Sequence, residues 1–113
     1  MKRIPFTGYT RERLTTTIEG RTISLRVRYS SESESWFLDL AETQPGTEET
    51  PLLSGRRITL GNDLLGSLDL RLGALYAIDT TGAGVDPGAG DLGSRVLIYH
   101  LTEAELAAGV IAA

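Results

Sequence analysis

The sequence has no cysteine, and that single absence removes disulfides, thiolate catalysis and cysteine-based metal sites. His100 is the one histidine, so neither a histidine-built zinc site nor a Ser-His-Asp triad has more than one imidazole to draw on. No apolar run approaches the roughly 18 residues needed to cross a bilayer. The opening Met1-Lys2-Arg3-Ile4-Pro5 is not followed by the apolar stretch and small-residue cleavage site of a secretory signal. The expectation is a chain without a membrane segment that stays where it is made. No unit repeats with a period of roughly 20–50 residues, which sets aside solenoids and propellers.

What is present is ordinary for a folded domain: 113 residues, 41% hydrophobic and 23% charged. The expectation is a single β-rich domain over residues 1–113, with an N-terminal arm at 1–10 and a helical tail at 102–113. The net charge of −4 conceals a split. Residues 1–28 carry seven basic and two acidic side chains, and residues 29–113 carry four basic and thirteen acidic ones. A division of +5 against −9 suits either a solvated strand face or a surface that meets an oppositely charged neighbour.

Period-two alternation dominates the chain. Ile23, Leu25, Val27 and Tyr29 alternate with Thr22, Ser24, Arg26 and Arg28, so residues 11–19 and 22–29 read as a hairpin with one apolar and one basic face. A type II′ turn at Gly20-Arg21 would set Ile18 opposite Ile23 and Leu14 opposite Val27. After the polar loop Ser30–Ser35, a strand at Trp36–Leu40 places Trp36, Leu38 and Leu40 on one face, in the core. Residues 41–51 read as an exposed loop, and Ile58 and Leu60 as a further short strand after a Ser54-Gly55 turn. Asp63-Leu64-Leu65 suits a helical turn, and Leu68, Leu70 and Leu72 alternate again. Gly73 then marks a bend or a bulge where backbone approaches closely, before Leu75–Asp79. Arg95–Leu101, apolar on both faces, reads as a strand through the middle of the sheet system. Thr102 and Glu105 form a capping box for a short C-terminal helix that Gly109 stops. The sum is a mainly β fold: a small antiparallel β-barrel or sandwich of six to seven strands with a short C-terminal helix.

Chemistry is harder to find. Asp63, Asp69, Asp79, Asp86 and Asp91 supply carboxylates, yet their spacing demands no acid–base pair, and the ordered ligand pattern of a calcium loop is absent from 79–91. Gly82-Ala83-Gly84 and Gly88-Ala89-Gly90 lack the Lys-Ser/Thr that follows a phosphate loop, so they read as turn residues. No catalytic residue, cofactor or metal site is expected. Arg11, Arg13, Arg26 and Arg28 form a candidate interface, a basic ridge without interleaved aromatics. Asp39, on the opposite face from Trp36, is either solvated or paired with an arginine of the first hairpin. A competing class is a small β-barrel binding an oligonucleotide or glycan through Arg26, Arg28 and Trp36.

The ordered set Trp36-Phe37-Leu38-Asp39-Leu40, Pro51-Leu52-Leu53-Ser54-Gly55, Gly61-Asn62-Asp63-Leu64-Leu65, Gly73-Ala74-Leu75, Asp86-Pro87, Leu92-Gly93 and Leu97-Ile98-Tyr99 resembles the phage baseplate plug family. The likeness runs over about residues 4–101 and includes the opening Ile4-Pro5; segments 41–51, 80–91 and 102–113 depart from it. It marks Trp36, Leu38, Leu40, Leu64, Leu75 and Tyr99 as a core signature. The resemblance implies a structural protein rather than an enzyme; the acidic balance of the chain, with a pI near 4.9, separately argues against nucleic-acid binding. The resemblance also implies a plug that links the spike and hub complex to the tail tube of a contractile tail and closes the central channel. Other baseplate, hub, spike and tail-tube proteins would be its partners, in a trimer or hexamer of the chain. Its place would be the virion's tail baseplate, assembled in the host bacterial cytoplasm.

Overall fold

Alternating apolar and polar residues produce strands over most of the chain. A computed structural model describes residues 2–43, 46, 48–66 and 71–109. Within them run β1 (Lys2–Ile4), β2 (Arg11–Ile18), β3 (Arg21–Ser30), β4 (Ser35–Glu42), β5 (Thr50–Arg57), β6 (Ala74–Asp79), β7 (Val96–Leu101) and α1 (Glu103–Ala107). The strands form two antiparallel sheets, ordered β2-β3-β4-β5 and β1-β7-β6. The fold is mainly β with one short C-terminal helix, as the alternation implies, but neither sheet closes into a barrel. The residues read as an N-terminal arm include β1, which pairs with β7 through Lys2–His100, Arg3–Tyr99 and Ile4–Ile98. No helix among the described residues is long and apolar enough to cross a membrane.

The first hairpin exists, with a different turn. Glu19 and Gly20 both have positive φ, 52° and 74°, the pattern of a type I′ turn, whose twist matches that of paired strands. Ile18 therefore faces Arg21 and Leu14 faces Leu25, not Ile23 and Val27. The two-residue displacement keeps every side chain on its expected face, because the strand period is also two. Ile23, Leu25 and Val27 are accordingly buried.

Loop 41–51 is shorter than its composition suggests, since β4 runs on to Glu42 and β5 begins at Thr50. Ser54-Gly55 is not a turn but the interior of β5. The β4–β5 register slips there, with Leu38 opposite Arg56 and Leu40 opposite Leu53, so β5 carries an extra residue as a bulge. β5 absorbs the residues up to Arg57, and the strand expected at Ile58 and Leu60 does not form. Ile58 instead drops into the core, its N–H donating to the Trp36 carbonyl at 2.9 Å, while Leu60 makes an isolated bridge to Ala77. Asp63-Leu64-Leu65 enters a tight turn in which Asp63 Oδ1 accepts from the Leu65 and Leu75 amides. Leu68 and Leu70 lie outside the described residues.

β7 is the central strand of its sheet, as its apolar faces imply. Gly73 meets it at close range: φ is 81°, and a Cβ there would lie 2.0 Å from the Leu101 carbonyl oxygen. Only glycine fits that approach.

The inner faces of both sheets share one cluster of buried side chains, with Ile23, Leu25, Trp36, Leu38 and Leu40 from one and Leu75, Val96 and Ile98 from the other. Each such burial is worth about 1.5–3 kcal/mol. Trp36 is fully buried, and its Nε1 donates to the Gly88 carbonyl at 2.8 Å, tying β4 to the glycine-rich loop. His100 is buried too, with Nε2 2.5 Å from the Leu72 carbonyl oxygen; a carbonyl only accepts, so Nε2 carries the proton. The capping box at Thr102 and Glu105 starts α1, none of whose residues is buried.

Candidate partner interface

Because Leu25 and Val27 point inward, Arg26 and Arg28 point out, and β2 turns Arg11 and Arg13 to the same side. Register sets Arg11 opposite Arg28 and Arg13 opposite Arg26. Like charges directly across a strand pair repel. Two carboxylates offset that repulsion. Glu49 accepts from Arg26 Nη2 at 3.0 Å, from Arg13 Nη2 and from Ser24 Oγ at 3.1 Å. Asp39 Oδ2 accepts from Arg28 Nη1 at 2.5 Å, and its Oδ1 takes the Gly55 amide at 2.6 Å. Of the two options open for Asp39, the arginine pair is the one that forms. The Arg28 guanidinium also lies 5.7 Å from the centroid of the Phe37 ring.

The charge division along the sequence is therefore not a division in space on this face. Asp39 and Glu49, both from the acidic part of the chain, stand among the four arginines. Arg11 takes part in no ion pair with a described residue. The pairs stay half in solvent, with side-chain exposures of 50%, 52% and 45% for Arg13, Arg26 and Arg28, so each is worth about 0–1 kcal/mol. About half of each of these arginine side chains remains open to a neighbour. Between β3, β4 and the start of β5 lies a shallow depression of about 350 Å³, edged by Arg26, Arg28, Asp39, Glu49 and Pro51. Glu49 was hidden in the sequence, where it is one of several acidic residues in a polar loop.

A second charged cluster serves the glycine-rich loop. Arg95 donates from Nη1 to Asp79 at 2.8 Å and to the Val85 carbonyl at 2.9 Å, and from Nη2 to Asp91 at 3.1 Å. Asp79 also accepts from the Thr81 hydroxyl at 2.7 Å and the Thr81 and Gly84 amides. The Thr81 hydroxyl bond leads, with those amides and Arg95 adding, in holding the Asp79 carboxyl down at about 2. Asp91 is held below the usual carboxylate range chiefly by Arg95 and then by the Gly88 amide. Asp86 accepts from the Leu60 amide at 3.0 Å. These aspartates hold loops in place; Asp69 lies outside the described residues. Among the described residues no three acidic or histidine side chains gather as metal ligands.

Trp36, Leu38, Leu40, Leu64 and Leu75 are buried in the core, and Tyr99 is half-buried on β7, across from Arg3 and Tyr76. Trp36 is buried and does not join Arg26 and Arg28 on one surface, so the three contacts expected of a ligand-binding barrel are not brought together. Residues 1–103 match the family model for the cyanophage baseplate Pam3 plug gp18. The chain belongs to this family of phage baseplate plugs. No curated protein matches it. Membership makes the chain a structural component of a phage tail baseplate, with other baseplate proteins as its partners. The match takes in all seven strands.

Proposed function

We propose that this plug protein joins the hub and spike complex to the tail tube of a contractile tail and closes the central channel until contraction, catalysing no reaction. The observation that carries the reading is the family match across every strand of the fold. The outer face of β2 and β3 adds a means of attachment. Arg11, Arg13, Arg26 and Arg28 form its contact surface for an acidic neighbour, and Asp39 and Glu49 hold three of the four in place. Several copies, in a trimer or hexamer, would sum modest contacts through symmetry. Assembly takes place in the host bacterial cytoplasm, and the finished protein resides in the virion.

Cryo-EM of purified tails tests this reading. The expected result is density for the chain on the tail axis between hub and tube, with incorporation that weakens when assembly takes place in high salt. Tails that lack the chain, or that hold it at the baseplate periphery, overturn the reading.

A further inference from the structure

β2 is the one long, regular sheet edge that the described residues leave uncovered. β1 is three residues long, and β5 is broken by Pro51 and its bulges. The outer side of β6 is occupied by the preceding segment: Leu64 N donates to the Leu75 carbonyl at 2.8 Å, and Asp63 accepts from the Leu75 amide at 3.1 Å. β2 runs for eight residues without proline, glycine or bulge. An edge of that kind is a template for another strand.

The ladder shows which of its groups are free. Tyr29 N donates to the Thr10 carbonyl at 2.8 Å, so Thr10 and Tyr29 are a hydrogen-bonded pair. In an antiparallel ladder bonding alternates, so Glu12, Leu14, Thr16 and Ile18 bond to β3. The N–H and C=O groups of Arg11, Arg13, Thr15 and Thr17 point away from it. All four residues are exposed. Arginines normally blunt such an edge. Here Glu49 and Ser24 draw Arg13 over the sheet, away from the open side, and Arg11 is left without an ion-pair partner among the described residues.

Resting on the baseplate reading above, we infer that β2 accepts an added strand from another baseplate protein, one that alternates acidic and apolar side chains. Main-chain bonds to residues 11–17 supply affinity, and side chains select the partner. On the outer face four guanidinium groups stand against two carboxylates, so acidic residues on the incoming strand complete the balance beside Arg11. On the inner face Leu14 is half-buried at the rim of the core, and an apolar residue there covers it.

Thr15→Pro tests this directly. It removes an N–H that points outward and sets a ring on the edge, but takes no bond from the β2–β3 ladder. The isolated variant is expected to keep its circular dichroism and its melting temperature within a few degrees, while its copies per tail fall roughly tenfold or more against the wild-type chain. A folded Thr15→Pro chain that enters tails at the normal level overturns the inference and leaves the baseplate reading intact. Wild-type chain missing from tails overturns both. If the isolated wild-type chain dimerises and Thr15→Pro abolishes the dimer, the occupant is a second copy and the acidic strand is wrong. Should the variant fold poorly, hydrogen exchange on wild-type tails decides: the Arg13 and Thr15 amides are slowed there relative to the free chain, and equal rates overturn the inference.

Discussion

Asp39 stands in register with Arg26, yet its carboxylate pairs with Arg28, two residues further along β3. The same carboxylate takes the Gly55 amide at the β5 bulge, so one side chain joins three strands' worth of backbone and charge. Asp39→Ala is expected to cost about 1–3 kcal/mol, because hydrogen bonds to a charged group exceed neutral ones. Asp39→Asn should lose about half as much, since its amide oxygen still accepts from Gly55. Urea unfolding of the two variants checks the order; equal losses would show that the bulge contributes nothing.

Glu49 stands between Arg13 and Arg26, which are otherwise directly opposed like charges. Glu49→Gln is expected to reverse the response to salt on this face. Added sodium chloride screens attraction in the native protein and repulsion in the variant, so the gap in melting temperature between them should narrow as salt rises. The loss at low salt should be about 1 kcal/mol or less, as befits exposed pairs.

Acid should loosen the 80–91 loop through Asp79. Its folded value of about 2 lies below the ordinary 3.8, so the unfolded chain binds this proton more readily. The stabilisation is complete above the ordinary value and disappears as pH falls from there toward 2. Asp91 and Glu42, also held low, act in the same direction. Thermal melts at stepped pH should therefore be shallower in slope for Asp79→Asn than for the native chain over that interval.

Gly73 and Gly82 share a positive φ, 81° and 73°, but differ in surroundings. An added Cβ at Gly82 meets nothing within 4 Å, whereas at Gly73 it strikes the Leu101 carbonyl. Gly82→Ala is expected to cost about 1–2 kcal/mol from backbone strain alone. Gly73→Ala should cost roughly 2–5 kcal/mol, strain plus overpacking. Denaturant midpoints for the two alanines separate the effects.

Much of this fold was legible because strand periodicity and face are the same signal. Trp36, Leu38 and Leu40 could be sent to the core, and Thr102 with Glu105 to a helix start, from local pattern alone. The failures share a cause as well. A turn at Glu19-Gly20 and one at Gly20-Arg21 bury the same faces, so the pattern could not choose between them. Ser54-Gly55 looked like a turn because a bulge also uses glycine, and only the partner strand tells the two apart. β1 is too short to carry a period, and its pairing with β7 depends on residues nearly a chain length away. On the candidate interface the arginines were visible in the alternation, and pairing with Asp39 was one of two readings. Glu49 was not visible, since nothing local links a loop glutamate to Arg13 and Arg26.

The two sheets also differ in when they can be built. β2 through β5 are consecutive neighbours, so the four-stranded sheet is complete in sequence by Arg57. The other sheet needs residues 2–4 against 98–100, and Trp36 waits for Gly88 to be covered. Long-range pairing of this kind is slow to form. During synthesis the larger sheet would stand with its apolar face wet until β6 and β7 have left the ribosome. We expect the β2–β3 hairpin to be structured in the folding transition state and β1 to be unstructured, an order that φ-values at Leu25 and Ile4 would reveal. A nascent chain held in that half-built form exposes a hydrophobic surface and a bare strand edge together, and is then most open to aggregation or to chaperones.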